Sequence, residues 1–401
     1  MPPDSRAAGG TRARRATPAE AVLPRLRQRL VDSGYSADWL TRRLGIQSLD
    51  DVGILNHGPT IERLRGDASA SAALTRLFFL ETTEPIAPLQ RALGRELLAE
   101  LVRHGYLRLR GRDGWANLRI DPCGEQHFLS DLRFRTTRPA VKGLPRGDDV
   151  YPPSSDSVLL RNIVTPAAAG PLLDLCTGSG VQGLQQAAKV SQVVAVDINP
   201  RAVAMARRNA ELNQVETFEA HLGDLYTPVQ GRRFEVVLAN PPFVVSPYDE
   251  APSFHAGGPR GDRVLRRVLA GLQTSLAPGG RAFAVSHVGL KREDELEAIA
   301  AGWFRRFDGR GAVLLLERGN AVDLAAAQAL FALREGTEAY AKEVRRWVTY
   351  LERHRIRFVA LILVVAERRG TRSVEVIDST PRILPLPMTP GPEERVKKWL
   401  G

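Results

Sequence analysis

Cysteine is almost absent: Cys123 and Cys176 are the only two in 401 residues. Two thiols so far apart provide neither a disulfide framework nor a zinc knuckle, so no metal centre is expected and a reducing cytoplasm is the expected compartment. Lysine is nearly as scarce. Of 56 basic residues only Lys142, Lys189, Lys291, Lys342, Lys397 and Lys398 are not arginine. A net charge of +11 would otherwise point to a polyanion partner, but arginine in place of lysine reflects GC-rich codons, and the charge is spread along the chain instead of clustered. Long apolar runs are missing too. The most apolar stretch, Phe358 to Ala366, is too short to cross a bilayer as a helix, and its β-branched content suits a buried strand, so no membrane partner is expected. Residues 1–17 lack the apolar core of a signal peptide and read as a disordered tail.

What is present is ordinary for a globular chain, 43% hydrophobic and 25% charged, and long enough for two domains. Residues 18–130 carry the first. From Pro18 to about Pro88 the pattern is helical, with breaks at Ser33-Gly34, Asn56-His57-Gly58-Pro59 and Gly66-Asp67. Leu89 to His104 continues as an amphipathic helix, and Tyr106–Arg110, a turn at 111–114 and Trp115–Ile120 predict a hairpin. Helices followed by a hairpin have the outline of a winged helix, which binds duplex DNA in some proteins and a partner or substrate in others. Glu96, Glu100 and Asp113 interrupt Arg91, Arg95, Arg103, Arg108, Arg110, Arg112 and Arg119, so no face is purely basic, and a substrate or partner is preferred to duplex DNA. Residues 131–152, rich in Arg, Pro and Gly, read as a linker, and residues 381–401 as a Pro-rich tail.

Over 153–380 strands and helices alternate. Pro171–Cys176, Gln192–Val196, Thr217–His221, Phe234–Ala239 and Arg281–Ser286 read as strands, with helices at Val181–Lys189, Pro200–Leu212 and Asp262–Leu276 between them. The alternation predicts an α/β fold, a Rossmann-like, doubly wound, mostly parallel sheet. Ala312–Leu316 and Ile356–Ala366, separated by helical sequence from about Leu324 to His354, are expected to close it as the last two strands.

Two loops at the ends of these strands carry chemistry. The first strand runs into Asp174-Leu-Cys-Thr-Gly178-Ser-Gly180-Val-Gln-Gly183, a glycine turn opening a helix, and Asp197 closes the second strand. Taken alone these residues match a dinucleotide fingerprint, which leaves nicotinamide binding open. An acid at Asp174 suits a cationic ligand bearing an amino group and would repel a pyrophosphate. The fourth strand runs out into Asn240-Pro-Pro-Phe243. Each proline fixes its own φ and holds the residue before it extended, so the Asn240 side chain and the Pro241 carbonyl are presented rigidly at the carboxyl edge of the sheet, where open parallel sheets bind ligands.

These stretches, with Val-Asp197-Ile-Asn and Gly223-Asp-Leu225, stand in the order and spacing that resembles class I S-adenosylmethionine-dependent methyltransferases. Tyr151-Pro-Pro-Ser-Ser-Asp-Ser157, the run Asp197 to Ala210, and Ala256-Gly-Gly-Pro-Arg-Gly-Asp262 make the branch look like the release-factor glutamine methyltransferases, over about Tyr151 to Ser286. That branch usually carries Tyr where this chain has Phe243. The resemblance implies S-adenosyl-L-methionine as cofactor, bound by Asp174, Cys176, Thr177, Gly178, Gly180, Asp197, Ile198, Asp224, Leu225 and Asn240. Gly178 and Gly180 would face its methionine moiety, Asp197 its ribose hydroxyls, and Asp224 with Leu225 its adenine. It also implies catalysis by Asn240, Pro241, Pro242 and Phe243. An amide or aryl amine nitrogen is a poor nucleophile because its lone pair is delocalised. Acceptors at Asn240 and Pro241 that hold its hydrogens, with Phe243 stacked on the planar group, would localise the lone pair toward the sulfonium methyl.

The expected acceptor is a protein glutamine or similar amide, with a small biosynthetic amine or an exocyclic amine of RNA or DNA as alternatives. A cofactor-binding regulator without activity is the alternative of a different class. His255 is a candidate base, and Tyr248 and Asp249 are candidate substrate contacts or turn residues. Every cofactor motif lies beyond Asp131, so cofactor binding is expected to survive removal of the N-terminal part.

Overall fold

The computed structural model describes residues 22–53, 56–134, 148–248, 257–380 and 391–401. The tail expected over 1–17, most of the linker expected over 131–152, Asp249 and His255 lie outside the described residues.

Helices Val22–Asp32, Ala37–Leu44, His57–Glu62 and Ala70–Leu74 lead to a short strand β1 (Glu84–Pro85), helices Ile86–Leu93 and Arg95–Arg103, and strands β2 (Leu107–Arg110) and β3 (Asp113–Ala116). β3 lies between β1 and β2, the arrangement of a winged helix. Leu97, Leu98 and Leu101 turn inward. The outer acids Glu96 and Glu100 of the same helix are paired to Arg25 of the first helix at 3.3 and 2.6 Å. The exposed face of this helix therefore carries paired acids among its arginines.

The strand expected over Trp115–Ile120 is split. Asn117 donates its backbone N–H to Tyr106 and its side-chain amide to Gly105, which ends the ladder. A separate hairpin follows, β4 (Arg119–Cys123) with β5 (Gln126–Ser130). Arg119 is buried in it, paired to Asp121 at 2.8 Å and lying 4.1 Å over the Phe79 ring. The outer edge of β5 is completed by side chains. Asn209 exchanges hydrogen bonds with the backbone of Leu129, and Asn213 does the same with His127, both asparagines standing on the helix Pro200–Leu212 and its cap. Ala202, Met205 and Leu212 of that helix share one buried core with the N-terminal leucines. The two parts of the chain are thus packed as one body, and the expectation that cofactor binding outlasts loss of the first part is set aside.

The large sheet contains β6 (Pro171–Leu175), β7 (Gln192–Asp197), β8 (Phe218–Leu222), β9 (Phe234–Ala239), β10 (Leu276–Leu290), β11 (Arg310–Asn320), β12 (Phe358–Glu367) and β13 (Ser373–Asp378). Their order is β13-β11-β12-β10-β9-β6-β7-β8, parallel except where β12 runs against both neighbours. This is the Rossmann-like sheet the alternation predicts, and strands β6, β7 and β9 are buried over nearly all of their length, which explains their near-continuous Val, Leu and Ala runs. β12 sits between β10 and β11, and β13 forms a further edge that the alternating, half-exposed sequence Ser-Val-Glu-Val-Ile-Asp did not reveal. The Pro-rich tail expected over 381–401 is corrected for its last part. Pro392–Leu400 is a helix begun by a proline in its first turn, with Val396 and Leu400 buried beside Leu160, Ile163 and Leu172.

Candidate active site

Strand register brings the site residues into line. Leu175 pairs with Val196 on one side and Ala239 on the other, and Asp197 pairs with Leu222, so the glycine turn, Asp197 and Asn240 leave the same carboxyl edge.

On the glycine turn Cys176, Gly178 and Gly180 all have positive φ (58°, 54° and 84°), which curls the backbone back over the strand end. Space in front of Gly178 is open, since no atom lies within 4 Å of where a Cβ would stand. Asp197 fastens the turn, its carboxylate accepting from Gly178 N at 2.9 Å and Asn199 N at 2.8 Å, while burial raises its pKa. Asp174 is fully buried. One oxygen accepts from the Thr177 hydroxyl at 2.5 Å and Gly183 N at 3.0 Å, and the other has no partner among the described residues. Burial outweighs those two hydrogen bonds and pushes its pKa up to about 7. Burial likewise raises the Cys176 thiol, so this cysteine is no thiolate nucleophile. Ile198 is 62% exposed and Leu222 is 57% exposed. They follow and face Asp197 across the β7–β8 edge and leave an apolar surface open to a flat ring.

Asp224 and Leu225 follow β8 at the same sheet edge. The Asp224 carboxylate is paired to Arg267 at 2.6 Å, and Leu225, with φ 49°, belongs to the buried cluster beneath the sheet with Val229 and Leu265.

At the end of β9, Asn240 donates its side-chain amide to Asp156 Oδ2 at 2.8 Å. The other Asp156 oxygen accepts from Ser154 Oγ and from Ser157 N. A carboxylate only accepts, so it fixes which way the Asn240 amide is turned. Asn240 Oδ1 is left shielded from solvent with no donor among the described residues. Such an atom costs about 1–3 kcal/mol unless a ligand satisfies it. Phe243 lies against His287 of β10, ring centroids 4.6 Å apart, and burial lowers the pKa of this histidine. The Phe243 backbone is clamped by the glycine stretch. A Cβ on Gly257 would stand 2.5 Å from the Phe243 carbonyl carbon, and one on Gly261 2.6 Å from the Phe243 oxygen, so only glycine admits this approach.

Sequence reasoning left Asp156, Gly257 and Gly261 without a role, although all three stand in motifs it singled out. His287 carries no signal beyond its place in a strand.

The unpaired Asp174 oxygen, the open face of Gly178 and the exposed Ile198 fit a ligand with an amino cation and a flat ring. Residues 154–302 match the methyltransferase small domain family, and residues 32–118 match a domain of unknown function. A putative protein N5-glutamine methyltransferase of Methanocaldococcus jannaschii is 35% identical over 140 residues, 33% of this chain and 69% of the relative. A release factor glutamine methyltransferase of Geobacter sulfurreducens is 32% identical over 228 residues, 53% of this chain and 72% of the relative. The chain belongs to the class I S-adenosylmethionine-dependent methyltransferases, in the glutamine methyltransferase branch. A ribosomal protein uL3 glutamine methyltransferase of Bradyrhizobium diazoefficiens is 33% identical, but the methyltransferase spans only 50% of that relative's length.

Proposed function

We propose that this methyltransferase transfers the S-adenosylmethionine methyl group to a glutamine side-chain amide nitrogen of a protein, with release factors and ribosomal protein uL3, the acceptors named for its relatives, as the first to test. The observation that carries the reading is Asn240 Oδ1, turned by Asp156, shielded from water and unpaired. It is placed to accept a hydrogen from a planar amide. Pro241 supplies a second acceptor through its backbone carbonyl, and Phe243, braced by His287, presents a ring to the amide plane. The cofactor supplies an electrophilic methyl group on sulfur. Asp197 and Gly178 hold the turn that would receive it, Asp174 would face its amino cation, and Ile198 would cover its ring. The N–C bond would form as the S–C bond breaks, leaving S-adenosylhomocysteine; acceptors fixed beforehand on the nitrogen's hydrogens would stabilise the positive charge that develops there until a proton is lost to water. No side chain needs to become covalently attached.

The N-terminal winged part serves acceptor recruitment and not duplex binding, since Glu96 and Glu100, paired to Arg25, break the basic face of the helix that would read a groove. Among the described residues no helix is long and apolar enough to cross a membrane, and an acceptor from protein synthesis would place the enzyme in the cytoplasm.

The test is transfer of labelled methyl to purified release factor and uL3, with digestion to locate the label. N5-methylglutamine that is absent with Asn240→Ala supports the reading. Label in RNA from the same cells, with none in either protein, would replace it.

A further inference from the structure

The helical sequence between the last two large strands is a second device at the site. β11 ends at Asn320 and β12 begins at Phe358, and these two residues pair with each other, while Phe358 also pairs with Leu290 at the end of β10. β10 meets β9 at Ala284–Ala239, one residue before Asn240. From Ala284 to Leu290 the strand therefore climbs about 20 Å beyond the level of Ala239, at the usual rise of a strand. β10, β12 and β11 stand above the sheet edge on the side away from the glycine turn. Helices Ala321–Ala329 and Thr337–Arg353 leave and re-enter at the top of that rise.

The helices fold over the segment that follows Phe243. Val244, Val245 and Tyr248 pack with Ala325, Trp347 and Leu351. The Tyr248 ring meets Trp347 edge-on at 6.5 Å and lies 5.3 Å under the Arg346 guanidinium. Glu343 Oε1 accepts from both the Tyr248 hydroxyl and Trp347 Nε1, and Arg346 donates to the Tyr248 oxygen at 2.8 Å. One carboxylate thus joins the helix to the end of the acceptor loop, and nothing in the Asn240–Asp156 arrangement makes use of it.

We infer that Glu343 is a positioning residue for the methyl acceptor: through Tyr248 it fixes the segment downstream of Asn240–Phe243, and the helical hairpin carrying it forms the acceptor-side wall of the site. The inference rests on the protein-amide reading above.

Glu343→Ala removes both acceptor contacts, Glu343→Gln keeps an oxygen for them, and Tyr248→Phe removes only the hydroxyl. With whichever of release factor and uL3 the wild type methylates, Glu343→Ala and Tyr248→Phe raise the acceptor KM on the order of tenfold and leave kcat within about threefold, the pattern of lost uniform binding. S-adenosylhomocysteine affinity is unchanged, and Glu343→Gln returns KM toward the wild type, which a general loss of packing would not do. An unchanged KM in both variants, or an equal loss of S-adenosylhomocysteine affinity, overturns the inference. If the wild type methylates neither protein, the acceptor reading fails on its own, and amide hydrogen exchange decides the positioning. Faster exchange over Val244–Tyr248 in Glu343→Ala, with wild-type exchange in Glu343→Gln, supports it, and unchanged exchange in both overturns it.

Discussion

On the β6–β7–β8 side of the sheet edge, the backbone does most of the holding: positive φ values curl the glycine turn, and Asp197 grips it through main-chain N–H groups. On the β9–β10 side, side chains from remote segments do so. Asp156 reaches Asn240 from 84 residues away, and Glu343 reaches Tyr248 from 95. The contrast follows from what each side must bind. A cofactor common to a whole family needs an invariant shape, which a local turn supplies. An acceptor differs from enzyme to enzyme, and its side is assembled from parts that can change without disturbing the turn.

Truncation gives the largest expected effect on this comparison. Removing residues before Asp131 strips the N-terminal core from the helix Pro200–Leu212 and unpairs Asn209, which also holds the Ser179 carbonyl of the glycine turn. The truncated chain is expected to lose cooperative folding and S-adenosylhomocysteine binding together, seen by circular dichroism and calorimetry. Wild-type affinity in a truncated chain would show instead that the cofactor side is self-sufficient.

Asn240→Ala comes next. Turnover on the acceptor should fall on the order of 100-fold while cofactor affinity holds, because only the transition state needs the nitrogen's hydrogens fixed. Cofactor affinity that falls as much as turnover would merge the two sides into one.

Asp197→Ala acts on the other side, weakening S-adenosylhomocysteine by about 1–3 kcal/mol through unpaired polar groups. At saturating cofactor the turnover should recover, and a kcat that stays low would place Asp197 in the acceptor's chemistry as well.

A pH dependence tests the buried carboxyl of the cofactor side. Unfolded, Asp174 loses its proton near the ordinary value of 3.8; folded, it keeps it up to about 7. Between these values the folded state binds more protons, so this group's contribution to stability declines as pH rises from about 4 to about 7 in the ligand-free enzyme. Urea midpoints of wild type and Asp174→Asn should diverge across that window, the wild type losing ground as pH rises. Parallel curves would mean the buried carboxyl is already ionised at low pH.

Much of this was legible before any coordinates. Apolar runs ending in Gly178–Gly180, Asp197 and Asn240–Phe243 are local signals, because a strand buried on both faces and the turn that ends it are each specified by neighbouring residues. β13 was missed because its alternation is weak and half exposed, and the helix Pro392–Leu400 because its prolines read as a tail when they open a helix. The pairing of Asp224 with Arg267, 43 residues away, carries no signal in the sequence.

The amino-acid sequence by itself determined the central parallel strands, the glycine turn and the identity of the loop that presents Asn240, since each depends on side-chain periodicity and backbone preference within a few residues. Tertiary structure alone decided that Asp156 turns the Asn240 amide, that His287 backs Phe243, that Asn209 and Asn213 join the two parts of the chain, and that Glu343 reaches Tyr248. These contacts form only when the sheet has set its register, because hydrogen bonds and ring packing act over a few ångströms and carry no trace along the chain that separates the partners.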